Sequence, residues 1–347
     1  MEKVRIGVAG LGGWGKNVVR CFSRAKGAEL RMICDAGEKA LSAQAPLYPA
    51  AEATTDFNAL LANAELDAIA LATPAPTHFA LGMRVLEAGK HLFVEKPMTL
   101  SAADAEALVA AADRQGKTLM VGHLLEYHPA VAWMKDYLDS GALGAPFYMY
   151  SQRLNLGTVR SDENALWSLA PHDISVALYL FGMAPDVVSA NGASYLQPGI
   201  EDVVFVHLHF PDGRTAQIHV SWLDPHKERK MVLVGAKTMV VFDDMSPMEP
   251  IRVYNKGAVV PEPDAGPTPV TVRHGDVLIP HFAGGEPLLT ECQHFIDAIR
   301  QGATPRSDGR DGLRVVRVLE AADASLKSGG QPVRVECNNQ AATSPQG

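Results

Sequence analysis

The first third of the chain alternates between two hydrophobic periods. Val4–Ala9 is a short apolar run ending in glycines, the pattern of a buried strand that feeds a turn. Asn17–Lys26 has helical spacing and stops at Gly27. Glu29–Cys34, Leu66–Ala72, His91–Val94 and Lys117–Val121 read as further strands. Asp56–Ala62, Thr77–Ala88 and Ser101–Gln115 read as the helices between them, with Asp56 and Ser101 as caps and Gly89 and Gly116 as stops. Strand and helix in strict alternation predict a parallel sheet covered on both faces.

After residue 122 the pattern changes. Pro129–Ser140 and Pro171–Phe181 are helical, the second with Pro171 placed in its first turn. Strand patterns then recur over Phe147–Gln152, Val187–Ala193, Asp202–Phe210, Arg214–Trp222, Lys230–Val234 and Lys237–Phe242. They predict a large, mostly antiparallel sheet. Residues 256–287 are rich in Pro and Gly and read as a long loop, residues 287–301 and 309–327 as closing helices, and residues 338–347 as disordered. In one hairpin, matching apolar faces set Leu208 opposite Ile218 around a three-residue loop, Asp212-Gly213-Arg214. Its other face carries Phe205, His207, His209, Gln217, His219 and Ser221. No carboxylate or Cys joins the histidines, so this face is read as packing against another subunit and not as a metal site.

At 347 residues two domains are expected, and 47% hydrophobic with 20% charged residues is a globular mix. A net charge of −8 disfavours nucleic acid or an anionic membrane as partner. No apolar run approaches the ~18 residues of a membrane span. Cys21, Cys34, Cys292 and Cys337 form no CxxC pair. With no signal-peptide pattern at the start, a reducing, cytoplasmic setting is expected.

Gly10-Leu11-Gly12-Gly13-Trp14-Gly15 lies between the first strand and the first helix, where a dinucleotide-binding fingerprint belongs. Gly10 permits the turn, Gly12 lets backbone approach a pyrophosphate, and Gly15 lets helix and strand pack. Asp35 ends the second strand about 20 residues on, placed to accept from ribose hydroxyls. A carboxylate there repels a 2′-phosphate, so NAD is expected over NADP. Glu95-Lys96-Pro97 ends the fourth strand on the ligand side of such a sheet, and a Lys beside a cationic nicotinamide has a lowered pKa suited to proton transfer. His172, at the start of an apolar helix, suits proton exchange near neutral pH; Asp173 either orients it or caps the helix.

Gly10–Gly15, Thr73-Pro74 with His78, Glu95-Lys96-Pro97, Gly122-His123 with His128-Pro129, and His172 stand in the order of the Gfo/Idh/MocA oxidoreductases, which residues 3–330 resemble. The resemblance implies an α/β fold. Residues 1–122 would form a Rossmann doubly wound parallel sheet that binds NAD. Residues 123–330 would form an α+β domain with a large, mostly antiparallel open sheet, used for substrate binding and for homodimers or homotetramers. Residues 331–347 would be a tail. Lys96 and His172 would be the proton-transfer pair, and Lys96-Pro97 a cis peptide. Gly10, Gly12, Gly13, Trp14, Gly15, Asp35, Thr73, Pro74, His78, Glu95 and Lys96 would line the cofactor. His123, Tyr127, Arg153, Arg160, Asn164, Trp167, Ser168 and His172 would meet the substrate. No metal is implied.

Polyol-oxidising members carry Asp four residues before the catalytic His; here Ser168 stands there. Arg153-Leu154-Asn155-Leu156-Gly157 with Arg160, Asn164 and Trp167 resembles the nucleotide-sugar branch, whose enzymes oxidise the 3-hydroxyl of a UDP-N-acetyl sugar before an aminotransferase acts. Arginines suit a pyrophosphate, and Trp167 offers a flat face to a sugar or base. The expected activity is thus UDP-N-acetylglucosamine 3-dehydrogenase in amino-sugar synthesis for lipid A or a surface polysaccharide. The corresponding uronate, or an inositol or hexose, is the alternative substrate. An NAD(P)-binding redox sensor without turnover is the non-enzymatic alternative.

Overall fold

The computed structural model of the protein describes residues 3–259 and 270–336. The tail read as disordered lies outside them, as does part of the Pro/Gly-rich stretch.

The first domain contains β1 (Val4–Ala9), α1 (Gly15–Arg24), β2 (Ala28–Cys34), α2 (Glu38–Gln44) and β3 (Glu52–Thr54). It continues with α3 (Phe57–Ala62), β4 (Ala68–Leu71), α4 (His78–Glu87), β5 (His91–Glu95), α5 (Ala102–Gln115) and β6 (Leu119–Gly122). The strands order as β3-β2-β1-β4-β5-β6, all parallel. The strand order reverses between β1 and β4, which opens the crevice in which doubly wound sheets bind ligands. Every residue of β4 is buried, as expected for a strand with helices on both sides. The caps form as read: the Ser101 hydroxyl accepts from Asp104 N–H at 3.1 Å, the Asp56 carboxylate accepts from Asn58 N–H, and Gly116 closes α5 at φ 60°.

The second domain begins with α6 (Pro129–Asp139), β7 (Pro146–Leu154), α7 (Ala165–Phe181), β8 (Val187–Ala193), β9 (Val203–His209) and β10 (Thr215–Ser221). Next come β11 (Glu228–Gly235), β12 (Met239–Asp243), β13 (Ile251–Tyr254), β14 (Gly257–Val259), β15 (Thr271–Arg273) and β16 (Val277–Leu278). The chain closes with α8 (Pro287–Gln301), α9 (Gly309–Lys327) and β17 (Val333–Arg334). Nine strands order as β16-β13-β12-β11-β7-β10-β9-β8-β17, antiparallel except for the β7–β10 pair. One face packs on α7 and α9 through alternating apolar residues such as Val204, Val206, Leu208, Ile218 and Val220. The other face is open: Phe205, His207, His209 and Gln217 are exposed. His219 stacks on Phe205, ring centroids 4.2 Å apart.

Three expectations are corrected. The β9–β10 hairpin has its three-residue loop and glycine, but the loop is Pro211-Asp212-Gly213, with Gly213 at φ 86°. Leu208 therefore faces Ala216, not Ile218, a two-residue slip that keeps the apolar faces together and is invisible to face matching. Part of the 256–287 stretch is ordered as β14, β15 and β16. And α7 starts at Ala165, capped by Asn164, so Pro171 lies in its interior. A proline suits the first turn best, but a buried helix with tertiary support tolerates it further in.

Helix α8 crosses back to the first domain. Phe295 meets Phe22 and Phe93 edge-on, with centroids 6.0 and 5.7 Å away. Phe295→Ala removes a fully buried ring. It should cost about 3–5 kcal/mol in denaturant unfolding; a loss under about 1 kcal/mol would mean that α8 does not hold the first domain.

Candidate functional site

The Gly-rich loop has the geometry of a dinucleotide cradle. Gly10 sits at φ 90°, and a Cβ there would lie 2.5 Å from the Ala72 carbonyl oxygen. A Cβ on Gly15 would come within 1.9 Å of the Gly10 oxygen, so helix and strand meet there backbone to backbone. Around Gly12 and Gly13 there is open space. The N-terminus of α1 has no side-chain cap and no acidic residue in its first turn, which leaves its N–H groups and dipole for an anion. Asp35 accepts from Leu11 N–H at 2.6 Å and Gly37 N–H at 2.8 Å, fixing the loop against the end of β2. These residues fit a dinucleotide pyrophosphate and ribose.

Three of the expected cofactor residues form the floor beside it. His78 is buried, with Nδ1 2.8 Å from the Pro97 oxygen and Nε2 2.8 Å from the Thr73 oxygen. It ties the Thr73-Pro74 turn to the Lys96-Pro97 turn, whose peptide bond is cis as the resemblance implied. The Trp14 indole N–H donates to Glu95 at 2.7 Å. Glu95 is buried against Gly122, where a Cβ would stand 2.9 Å from its carboxylate. Burial pushes the Glu95 carboxyl up to about 6, opposed by the indole bond and by Lys96.

Lys96 leaves the end of β5 and donates from Nζ to the Ser168 carbonyl of α7 at 2.9 Å. Burial lowers its pKa, with Glu163 and Glu95 pulling the other way. His172 lies one turn beyond Ser168, in the middle of α7 and not at its start. Burial and then the Lys96 and Arg153 charges push its pKa well below the usual range, so it is neutral at physiological pH. Its Nδ1 is buried without a hydrogen-bond partner among the described residues.

The expected substrate residues divide. Ser168 and Trp167 lie on α7 with His172; Trp167 packs partly buried against the cores of both domains. Arg153, on β7, is turned to Asp173: Nε donates at 2.6 Å, and both groups are buried. Asp173 thus neither orients His172 nor caps the helix. Asn164 caps α7 and donates to Glu201 at 2.7 Å. Arg160 pairs with Glu163 at 2.9 Å and stays half exposed. Tyr127 is buried, its hydroxyl 3.0 Å from that of Ser307. His123 is buried beside Glu126 and Asp311.

Sequence reasoning passed over Arg229. It pairs across the sheet with Arg153 in register, stays partly exposed, and lies 3.7 Å from Asp244. The signal was weak: Lys227-Glu228-Arg229-Lys230 reads as an ordinary charged strand entry, and only the β7–β11 pairing carries Arg229 beside Arg153.

Residues 4–123 match the model of an oxidoreductase family with an NAD-binding Rossmann fold, and residues 131–241 match the Gfo/Idh/MocA C-terminal domain. A crystal structure from Magnetospirillum magnetotacticum is 30% identical, covers 92% of this chain and all of its own, and superposes with a TM-score of 0.79. The chain belongs to the Gfo/Idh/MocA oxidoreductase family. UDP-N-acetylglucosamine 3-dehydrogenase of Acidithiobacillus ferrooxidans is 29% identical over 93% of this chain and 96% of its own. Its crystal structure gives a TM-score of 0.78 at 27% identity, covering 94% of this chain and 99% of that one. D-apiose dehydrogenase of Paraburkholderia graminis is 26% identical over 95% of this chain and 89% of its own. This member of the family is an NAD-binding enzyme; no helix among its described residues is long and apolar enough to cross a membrane.

Two outcomes test this geometry. Glu95 holds its proton more tightly folded than unfolded, so its contribution to stability is complete below its ordinary 4.5 and is lost as pH rises through about 6. Glu95→Gln should remove about 2 kcal/mol of that pH dependence; the wild type should show a Trp14 fluorescence change near pH 6, through the indole bond to Glu95, that the variant lacks, and a change kept in the variant would separate Trp14 from Glu95. Arg153→Ala leaves Asp173 charged and buried, and should cost about 3–5 kcal/mol in denaturant unfolding. A cost near zero would return Arg153 to the role of a substrate ligand.

Proposed function

We propose that the protein is an NAD-dependent dehydrogenase that oxidises a secondary hydroxyl, C3, of a UDP-N-acetyl sugar, with UDP-N-acetylglucosamine as first choice. The observation that carries the chemistry is the Lys96–His172 pair: a lysine with a lowered pKa and a neutral histidine, brought to one place from β5 and α7. Lys96 takes the hydroxyl proton, and His172 hydrogen-bonds the same oxygen. NAD+, when bound on the Gly-rich loop, supplies the hydride acceptor. Gly12 and Gly13 give backbone access to its phosphates, Asp35 holds the adenosine ribose, and Thr73, Pro74, His78 and Glu95 shape the nicotinamide end.

The substrate identity rests on the named relative and on charge. Arg153 and Arg229 both lower the His172 pKa, so arginine charge from the second sheet reaches the site, each beside a carboxylate partner. Arg229 and Arg160 are the exposed members and are assigned to the diphosphate; Trp167 and Ser168 border the sugar side, and His123, buried beside Glu126 and Asp311, is withdrawn from it. Tyr127 and Asn164 support the fold of that wall. D-apiose and scyllo-inositol are substrates named for other relatives of similar identity, which makes a free sugar or polyol the second reading. Further expectations are a cytoplasmic location, a homodimer or homotetramer through the open sheet face, and an aminotransferase that consumes the 3-keto product.

Purified protein with NAD+ and a panel of UDP-sugars, polyols and free sugars, in the presence of an aminotransferase and glutamate, should produce NADH with UDP-N-acetylglucosamine. NADH with inositol or a free sugar alone would move the assignment to the second reading. NAD binding with no turnover on any substrate would favour a sensor. Lys96→Met should lower kcat by about 10²–10⁴ with NAD affinity nearly unchanged; unaltered turnover would remove Lys96 from catalysis.

A further inference from the structure

One buried cluster is not used by the proposed reaction. His123 follows β6 directly, Glu126 stands in the short 3-10 turn Leu124–Tyr127, and Asp311 is in the first turn of α9. They are 2%, 1% and 3% exposed. His123 Nδ1 lies 3.5 Å from Glu126 Oε1 and 3.6 Å from Asp311 Oδ2. All three atoms lie within 4.8 Å of one another, and none has a hydrogen-bond partner among the described residues.

Three orphaned polar atoms converging on one enclosed point require an occupant, because each buried unsatisfied group costs about 1–3 kcal/mol. The spacing fits a small divalent cation. Ligand atoms about 2.0–2.2 Å from zinc in a tetrahedral site stand roughly 3.3–3.6 Å apart. One nitrogen and two carboxylate oxygens suit Zn(II) and its neighbours, whereas calcium asks for six to eight oxygens. Two carboxylates also balance a dication where an unpaired charge is costly. The site is oriented from behind: Asp311 Oδ1 accepts from Arg314 at 2.8 Å, and its backbone N–H donates to Asp308 at 2.8 Å, which leaves Oδ2 toward His123.

We propose that His123 Nδ1, Glu126 Oε1 and Asp311 Oδ2 bind one divalent transition-metal ion, zinc in class, that fastens the end of β6 to α9. The sequence offered no sign of it, because His123 and Glu126 form only a three-residue step and the third ligand arrives from the far end of the chain. The competing occupant is a proton shared by Glu126 and Asp311.

The test uses the full chain. Metal analysis of protein from zinc-supplemented cells, purified in chelator-treated buffers, should find about one zinc per chain. Zn(II) added back after chelation should raise Tm. Glu126→Gln and Asp311→Asn should each lose the metal and the shift. If either variant fails to fold, Co(II) added to the chelated wild type replaces it: tetrahedral ligand-field bands support the site and their absence overturns it. Less than about a tenth of an equivalent of metal, with no Tm response to Zn(II), overturns the proposal. So does a Glu126→Gln protein as stable as the wild type, since an amide can replace a shared proton but not a metal ligand.

Discussion

The hydrogen bond from Lys96 to the Ser168 carbonyl joins the two halves of the molecule at the point where chemistry can happen. Lys96 ends a strand of the nucleotide-binding sheet, and Ser168 lies on the helix that covers the antiparallel sheet. The helix is long, capped by Asn164 and buried along almost its whole length, so its position is set by the second domain's core. Pro171 lies inside it and has no N–H to give. The carbonyl this leaves without a helical donor is that of Trp167, and Lys96 donates to the next one, Ser168, on the same turn. His172 is then fixed relative to Lys96 by one turn of helix.

Burial at this junction decides the protonation states. A lysine and a histidine close together would both be charged in water near pH 6, and would repel. Desolvation lowers both pKa values, and their mutual charge lowers that of His172 further. The result is a lysine that gives up its proton more readily than in water and a histidine that is already neutral. Glu95 on the neighbouring position moves in the opposite direction by the same physics, since burial disfavours the carboxylate as it disfavours the ammonium. The Trp14 indole N–H offsets part of that cost, which couples the Gly-rich loop to the floor of the site.

Much of the first domain was legible because its signals are local. Strand–helix alternation, caps at Asp56 and Ser101, and left-handed glycine stops are each set by a few neighbouring residues. The second domain depended on pairings across the chain. Apolar faces predicted the β9–β10 partnership but not its register, since a slip of two residues preserves the faces. Arg153 looked like a surface cation suited to phosphate; its partner Asp173 is twenty residues away on another element, and only the fold brings the two within 2.6 Å. The same holds for Arg229, which gains its place from strand pairing alone.

That reassignment sharpens the chemistry at the entrance. A buried arginine already bound to a carboxylate by two nitrogens cannot turn to a phosphate without leaving Asp173 uncompensated. Arg153 is therefore a fixed group whose charge reaches His172, while Arg229 is partly exposed and lies 3.7 Å from Asp244. Burial keeps His172 neutral, with the Lys96 and Arg153 charges adding to it, and the pairing with Asp173 holds Arg153 in place to do so.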